Sequence, residues 1–210
     1  MKVTIIGAGG NIGQRIVKEA ASRNHELQLI SSKDKSFFGL NNVHIQQADI
    51  FKTEALVELL KGSDVVISAY APPHENTDLI IDASKSLIEA AKKANTRLIA
   101  VGGAGSLKVN KDMDLVDTPD FPEDYKAIAI SHKKALENVF LNESELTWTN
   151  VSPSAYIFEG ERTNQFRIGE DYLLSNEKGE STISMEDFAV GILNEVEKPS
   201  FPKKRFTIGY

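Results

Sequence analysis

A β-branched run, V-T-I-I at residues 3–6, stops at Gly7, and a stretch of helical period begins at Ile12. This junction constrains the chain more than any other feature. Val3 to Ile6 reads as a short buried strand. Ile12, Ile16, Val17, Ala20 and Ala21 recur at helical spacing and predict a helix to about Arg23. Between the two, Gly7, Gly10 and Gly13 fall in the spacing G-x-x-G-x-x-G. A first glycine there permits a tight turn, a second lets the backbone approach a diphosphate, and a third lets the helix pack against the sheet. The amides of Asn11, Ile12 and Gly13, with the helix dipole behind them, would face phosphates. A glycine-rich loop with no ligand is the bland alternative, and the strand-to-helix setting favours dinucleotide binding over it.

The rest of the first half repeats the pattern. Leu27 to Ile30, Val43 to Gln47, Asp64 to Ala69 and Leu98 to Val101 read as strands. Helices run between them through Leu56, Leu59 and Leu60 to a stop at Gly62, and through Leu79, Ala83, Leu87 and Ile88. Such alternation implies right-handed crossovers and a parallel sheet covered on both faces. The second half is less regular. Residues 107–123 form a long connection containing T-P-D-F-P, then a helix from about Tyr125 to Phe140 leads to a sixth strand, Thr147 to Val151. Ser184 and Asp187 fit a capping box opening a last helix, and Arg205 to Ile208 closes the chain as a strand. The expected fold is an α/β, Rossmann-type doubly wound sheet of order 3-2-1-4-5-6. Residues 1–210 form one domain, with 153–182 as a small substrate lid.

Composition narrows the function classes. A formal net charge of -6 argues against a general nucleic-acid binder. With no cysteine, disulfides and thiol catalysis are excluded. The longest uncharged runs, such as Leu98 to Leu107, are too short and glycine-rich to span a bilayer, and the N-terminus is a poor signal peptide. The expectation is a cytoplasmic protein, monomer or homodimer, acting on a small molecule, without nucleic-acid or membrane partners. The four histidines are scattered without metal-ligand spacing, so no metal is predicted.

Coenzyme preference turns on the end of the second strand, where an acidic residue usually holds the ribose 2′-hydroxyl of NAD. Here S-S-K-D-K offers Ser32 and Lys33, which suit a 2′-phosphate, so NADP(H) is expected over NAD(H). A solvated turn, with Asp34 swinging in, is the other reading. Asp49 and Ile50 after the third strand are placed beside the adenine. Ala69, Tyr70 and Ala71 after the fourth stand at the topological switch point.

The chain resembles the atypical short-chain dehydrogenase/reductases, specifically the NmrA-like group labelled NADH-flavin reductases and related to biliverdin-IXβ reductase. The resemblance covers nearly the whole chain. It rests on I-G-A-G-G-N-I-G, V-I-S-A-Y, V-G-G-A-G-S-L, L-V-D-T-P-D-F-P, L-T-W-T-N-V-S-P-S-A, G-E-R-T, I-S-M-E-D-F-A and R-F-T-I-G-Y. The resemblance implies that Gly102 and Gly103 give the nicotinamide room and that Lys133 lies near its ribose. Classical members carry Tyr-x-x-x-Lys, but four residues before Lys133 stands Ala129, and Gly102 or Gly103 replaces the catalytic serine, although Ser106 is close by.

Carbonyl reduction needs a positioned proton donor, whereas a conjugated ring delocalises the incoming charge and takes its proton from water. The missing tyrosine therefore favours hydride transfer to a flavin, quinone or similar acceptor, with flavin as substrate rather than prosthetic group. It is equally compatible with a non-catalytic NADP(H)-sensing regulator. His132 is weighed as a proton donor against an ordinary helix residue. Phe121, Tyr156 and Phe158 are read as an apolar face for a flat ring, with Ser154 beside them. Arg162 would hold a phosphate or carboxylate, or pair with Glu161 or Asp171.

Overall fold

In the computed structural model, which describes residues 1–31 and 43–210, the apolar runs become adjacent strands. In chain order the elements begin β1 (Lys2–Ile6), α1 (Asn11–Ser22), β2 (Glu26–Ser31), β3 (Val43–Gln47), α2 (Thr53–Leu60), β4 (Val65–Ser68), α3 (Leu79–Ala94) and β5 (Arg97–Val101). They continue with β6 (Lys108–Asn110), β7 (Met113–Asp114), α4 (Glu123–Ala135), β8 (Trp148–Ser152), β9 (Tyr156–Phe158) and β10 (Arg167–Gly169). The last are β11 (Thr182–Ser184), α5 (Met185–Glu197) and β12 (Lys204–Gly209).

The central sheet runs β10-β12-β8-β5-β4-β1-β2-β3, parallel throughout except for the antiparallel edge strand β10. The expected order is present, its sixth strand being β8, and β12 extends it with a parallel pairing to β8. α5 makes the crossover that this pairing requires. Side chains alternate across each strand, so two apolar layers form. Val3, Ile5, Leu27, Val151 and Phe206 pack with α1 and α5 on one face. Ile6, Val66, Leu98 and Trp148 pack with α2 and α3 on the other. The Ser184 hydroxyl accepts from the Asp187 amide at 3.0 Å, so the capping box opens α5 as its sequence implies.

Three stretches show more detail than the sequence indicated. The helix expected through Phe140 holds α geometry only to Ala135 and then widens into a π turn, Leu136–Phe140, which buries Leu136 and Phe140. The 107–123 connection contains the β6–β7 hairpin and a 3₁₀ turn, Leu115–Asp117. Residues 153–182, read as a lid, contribute β9, which pairs in parallel with β11, and β10, which edges the main sheet.

Candidate functional site

The carboxyl ends of β1, β2, β3 and β4 converge on a cleft of about 810 Å³. Its floor is the glycine turn. Gly7 sits at φ +75°, and a Cβ there would come within 2.5 Å of the Ala69 carbonyl oxygen, so this position demands glycine on two counts. Gly13 is required by contact alone: its Cβ would lie 2.1 Å from the Gly7 carbonyl oxygen. That close approach is to the turn itself, whereas the sequence reading had assigned it to the sheet. Gly10 is the N-cap of α1, and the first intrahelical bond runs from Gln14 N to Gly10 O at 2.9 Å. The amides of Asn11, Ile12 and Gly13 therefore precede the helical ladder. Gly10 brings no side chain to cap them, and no acidic residue occupies the first turn. The first turn of α1 itself therefore carries no negative charge to compensate the positive end of the helix beside the cleft.

The opposite wall is more apolar. Ile50, Phe51, Ala69, Tyr70, Ala71, Pro72 and Pro73 line it. Phe51 and Tyr70 meet edge-to-face with centroids 6.1 Å apart. Asp49 Oδ1 accepts from the Phe51 amide at 3.0 Å, which sets the bend of this wall. Burial pushes the Tyr70 hydroxyl pKa up, and the nearby Asp49 carboxylate adds to it, so the phenol stays neutral. Phe51 escaped the sequence reading. Its signal was its position, directly after Ala48-Asp49-Ile50 at a strand end.

The structure brings together Gly7, Gly10, Asp49, Ile50, Ala69, Tyr70 and Ala71 around one hollow, with Asn11, Ile12 and Gly13 opening the adjoining helix. Ser32 and Lys33 lie outside the described residues. Gly102 and Gly103 follow β5, the strand next to β4, and their contacts explain the G-G pair. A Cβ on Gly102 would be 2.2 Å from Asn150 Oδ1, and one on Gly103 would be 2.9 Å from His132 Cβ. One turn earlier, a Cβ on Gly105 would be 2.8 Å from Ala129 Cβ. α4 therefore lies flush on this loop, with the Ala129 methyl set against Gly105.

Several other residues make contacts that the sequence did not indicate. The Lys133 ammonium is 2.5 Å from Asp114 and 3.5 Å from Asp117, which ties it to the segment after β6. Its hydrogen bond to Asp114 raises its pKa, and so it stays charged. The Ser106 hydroxyl and carbonyl both accept from Arg205, at 2.9 and 3.0 Å, a buried structural contact. Enclosure of the His132 ring lowers its pKa to about 4, which leaves it neutral near pH 7.

The substrate-side readings divide. Tyr156 and Phe158 stack on β9, with centroids 5.7 Å apart, and Tyr156 is 64% exposed. Phe121 is half-buried on the turn that precedes α4. Ser154 is buried beneath the carbonyl oxygens of Thr182 and Ile208, at 3.1 and 3.0 Å, and so cannot present its hydroxyl to a substrate. Arg162 pairs with neither Glu161 nor Asp171. Its guanidinium forks onto Glu19 of α1, at 2.7 and 2.9 Å, while Asp171 is taken by Arg205.

Comparisons with known proteins agree with this geometry. The model of the NAD(P)H-binding family matches residues 7–199. An uncharacterized protein of Bacillus subtilis, YwnB, is 38% identical over 99% of this chain and 98% of its own. A Bacteroides thetaiotaomicron structure, provisionally named an epimerase, has 33% identity and a TM-score of 0.94, covering 100% of this chain and 96% of its own. A Streptococcus pneumoniae structure, provisionally named an NADH-flavin reductase, has 33% identity and a TM-score of 0.91, covering 100% and 99%.

Proposed function

Because the chain belongs to the NAD(P)H-binding family, within the atypical short-chain dehydrogenase/reductase group that its sequence resembles, we propose that it reduces a flavin, quinone or similar conjugated acceptor. The observation that carries this reading is the pairing of an open phosphate-ready turn with, among the described residues, no poised acid on α4 or after β5. The cleft fits a dinucleotide: uncapped amides of Asn11, Ile12 and Gly13 stand at one side, and the Phe51–Tyr70 wall at the other. NADP(H) is the preferred form in this reading, through Ser32 and Lys33.

When bound, the nicotinamide supplies the hydride. The chain's own part is to bind and orient. The α1 amides hold the diphosphate, Asp49 and Ile50 flank the adenine, and Gly102 and Gly103 keep side chains away from the ring. Tyr156 and Phe158 offer a flat apolar surface on which an acceptor can stack. A neutral His132, a methyl at Ala129 and a Lys133 engaged with Asp114 supply no activated proton donor. A conjugated acceptor needs none, because charge spreads over the ring and bulk water delivers the proton afterwards.

The test is oxidation of NADPH by the purified protein with FMN or a soluble quinone, followed at the reduced-nicotinamide absorbance. Turnover well above the protein-free rate is expected, with simple ketones inert. A rate equal to background with every conjugated acceptor would instead mark a non-catalytic coenzyme sensor.

A further inference from the structure

Asn150 lies in the middle of β8 and faces the same side of the sheet as Trp148, since side chains alternate along a strand. It is only 5% exposed, yet its carboxamide forms no hydrogen bond among the described residues. Neither its nitrogen nor its oxygen is among the fully enclosed unpartnered atoms, so the carboxamide keeps a narrow accessible surface at which a partner can reach it. Two polar groups that frame this part of the molecule are engaged, whereas the Ser152 hydroxyl, two residues on along β8, is buried and unpartnered as well. Arg205, its register partner on β12, donates to Ser106 and Asp171, and Ser131 of α4 donates to Asp78 at 2.6 Å. Of the unpartnered groups on β8, Asn150 alone is an amide, which offers a donor and an acceptor side by side.

Its position says what it is offered to. The register Ile6, Ser68, Ala100, Asn150 runs from β1 through β4 and β5 to β8, just below the edge that the glycine turn opens. Immediately past β5 stands Gly102, where any Cβ would collide with Asn150 Oδ1. Glycine at 102 therefore leaves the carboxamide room at that edge. The adenine-facing wall lies at β3 and β4, and the uncapped amides follow β1. A dinucleotide laid along the same edge has its second base toward β5 and β8.

We propose that Asn150 recognises the ring carboxamide of the nicotinamide, amide to amide, each donating to the other's oxygen. The proposal rests on the coenzyme reading above. It makes Asn150 a specificity residue for the reactive half of the coenzyme, with no part in gripping the adenine half. Such pairing also fixes ring rotation, and hence which face the acceptor meets. A site built around a hydrogen-bonding group rejects an analogue lacking it, because the buried partner is left unsatisfied.

The experiment compares three ligands by calorimetry: NADPH, its 3-acetylpyridine analogue (which lacks the amide N–H) and 2′,5′-ADP, which carries only the adenine half. The wild-type protein is expected to bind the acetyl analogue about tenfold more weakly than NADPH. Asn150→Leu is expected to weaken NADPH by about tenfold, leave 2′,5′-ADP unchanged and lose discrimination between the two pyridines. Equal wild-type affinity for the two pyridines overturns the proposal even if the leucine variant fails to fold. So does a variant that loses 2′,5′-ADP and NADPH alike, which would mark Asn150 as a prop for Gly102. Wild-type protein that binds none of the three defeats the coenzyme reading itself, and this proposal with it.

Discussion

At the scale of single residues, the glycine turn makes the firmest commitments. An alanine at 7 would be forced into left-handed backbone while its methyl met the Ala69 carbonyl. Gly7→Ala is therefore expected to lower unfolding free energy by about 2–4 kcal/mol and coenzyme affinity by more than tenfold, as read by urea titration and calorimetry. His132 makes a different prediction. Its folded pKa of about 4 lies below its unfolded value near 6.5, so the unfolded chain takes up the proton first as pH falls. The neutral ring contributes stability in full above about pH 6.5, and that contribution is lost as pH falls toward 4. His132 as a residue is half-buried, which tempers the desolvation, so the effect is on the order of 1–2 kcal/mol. Unfolding midpoints at pH 7 and pH 4.5 should converge in His132→Leu relative to wild type. An unaltered difference would show that the ring is not desolvated. The glycines were legible in the sequence because their demands are local to one turn. The Arg162–Glu19 fork was not, because it joins residues 143 apart that only the fold brings together.

At the scale of elements, α4 is a clamp where classical relatives have a catalytic helix. Ser131 bonds Thr77 and Asp78 at the far end of the loop after β4, His132 lies against Gly103, and Lys133 grips Asp114. Three consecutive side chains thus hold three segments that frame the coenzyme edge. Ser131→Ala removes the hydroxyl that joins Thr77 to Asp78, and residues 74–78 should then exchange amide hydrogens faster while the central strands stay protected. Unchanged exchange there would remove the clamp. A second strap crosses α1 and α5. Asp187, fully buried, accepts from the Asn164 amide at 2.8 Å, Thr163 at 2.5 Å and the Tyr210 hydroxyl at 2.8 Å. This explains why G-E-R-T, S-M-E-D and the terminal tyrosine stand out in the sequence: they are parts of one polar joint. Arg162 beside it holds the Glu19 carboxyl below its ordinary range. The sequence marked these elements correctly, but not their joining, which depends on α1 packing against α5.

For the whole molecule, the architecture was readable because alternating strands and helices leave few right-handed solutions. Strand order through β8 followed from that alternation, while β12 and β10 did not, since short strands after residue 153 carry no such regularity. The residues read as coenzyme contacts come together to the extent that they stand at strand ends. Seven of the residues read as coenzyme contacts line one cleft, whereas Ser154 and Arg162 are engaged in hydrogen bonds within the fold. The account as a whole requires that the cleft at the carboxyl edge bind a nicotinamide dinucleotide through the main chain of the β1–α1 turn. The most direct test is thermal unfolding of the wild-type protein with NADPH or NADH at about a hundred times the dissociation constant found by calorimetry. Binding to the folded state alone should then add about 2.7 kcal/mol, a rise in Tm of roughly 5–10 °C. Millimolar concentrations of either dinucleotide that give no heat of binding and leave the melting curve in place would contradict it.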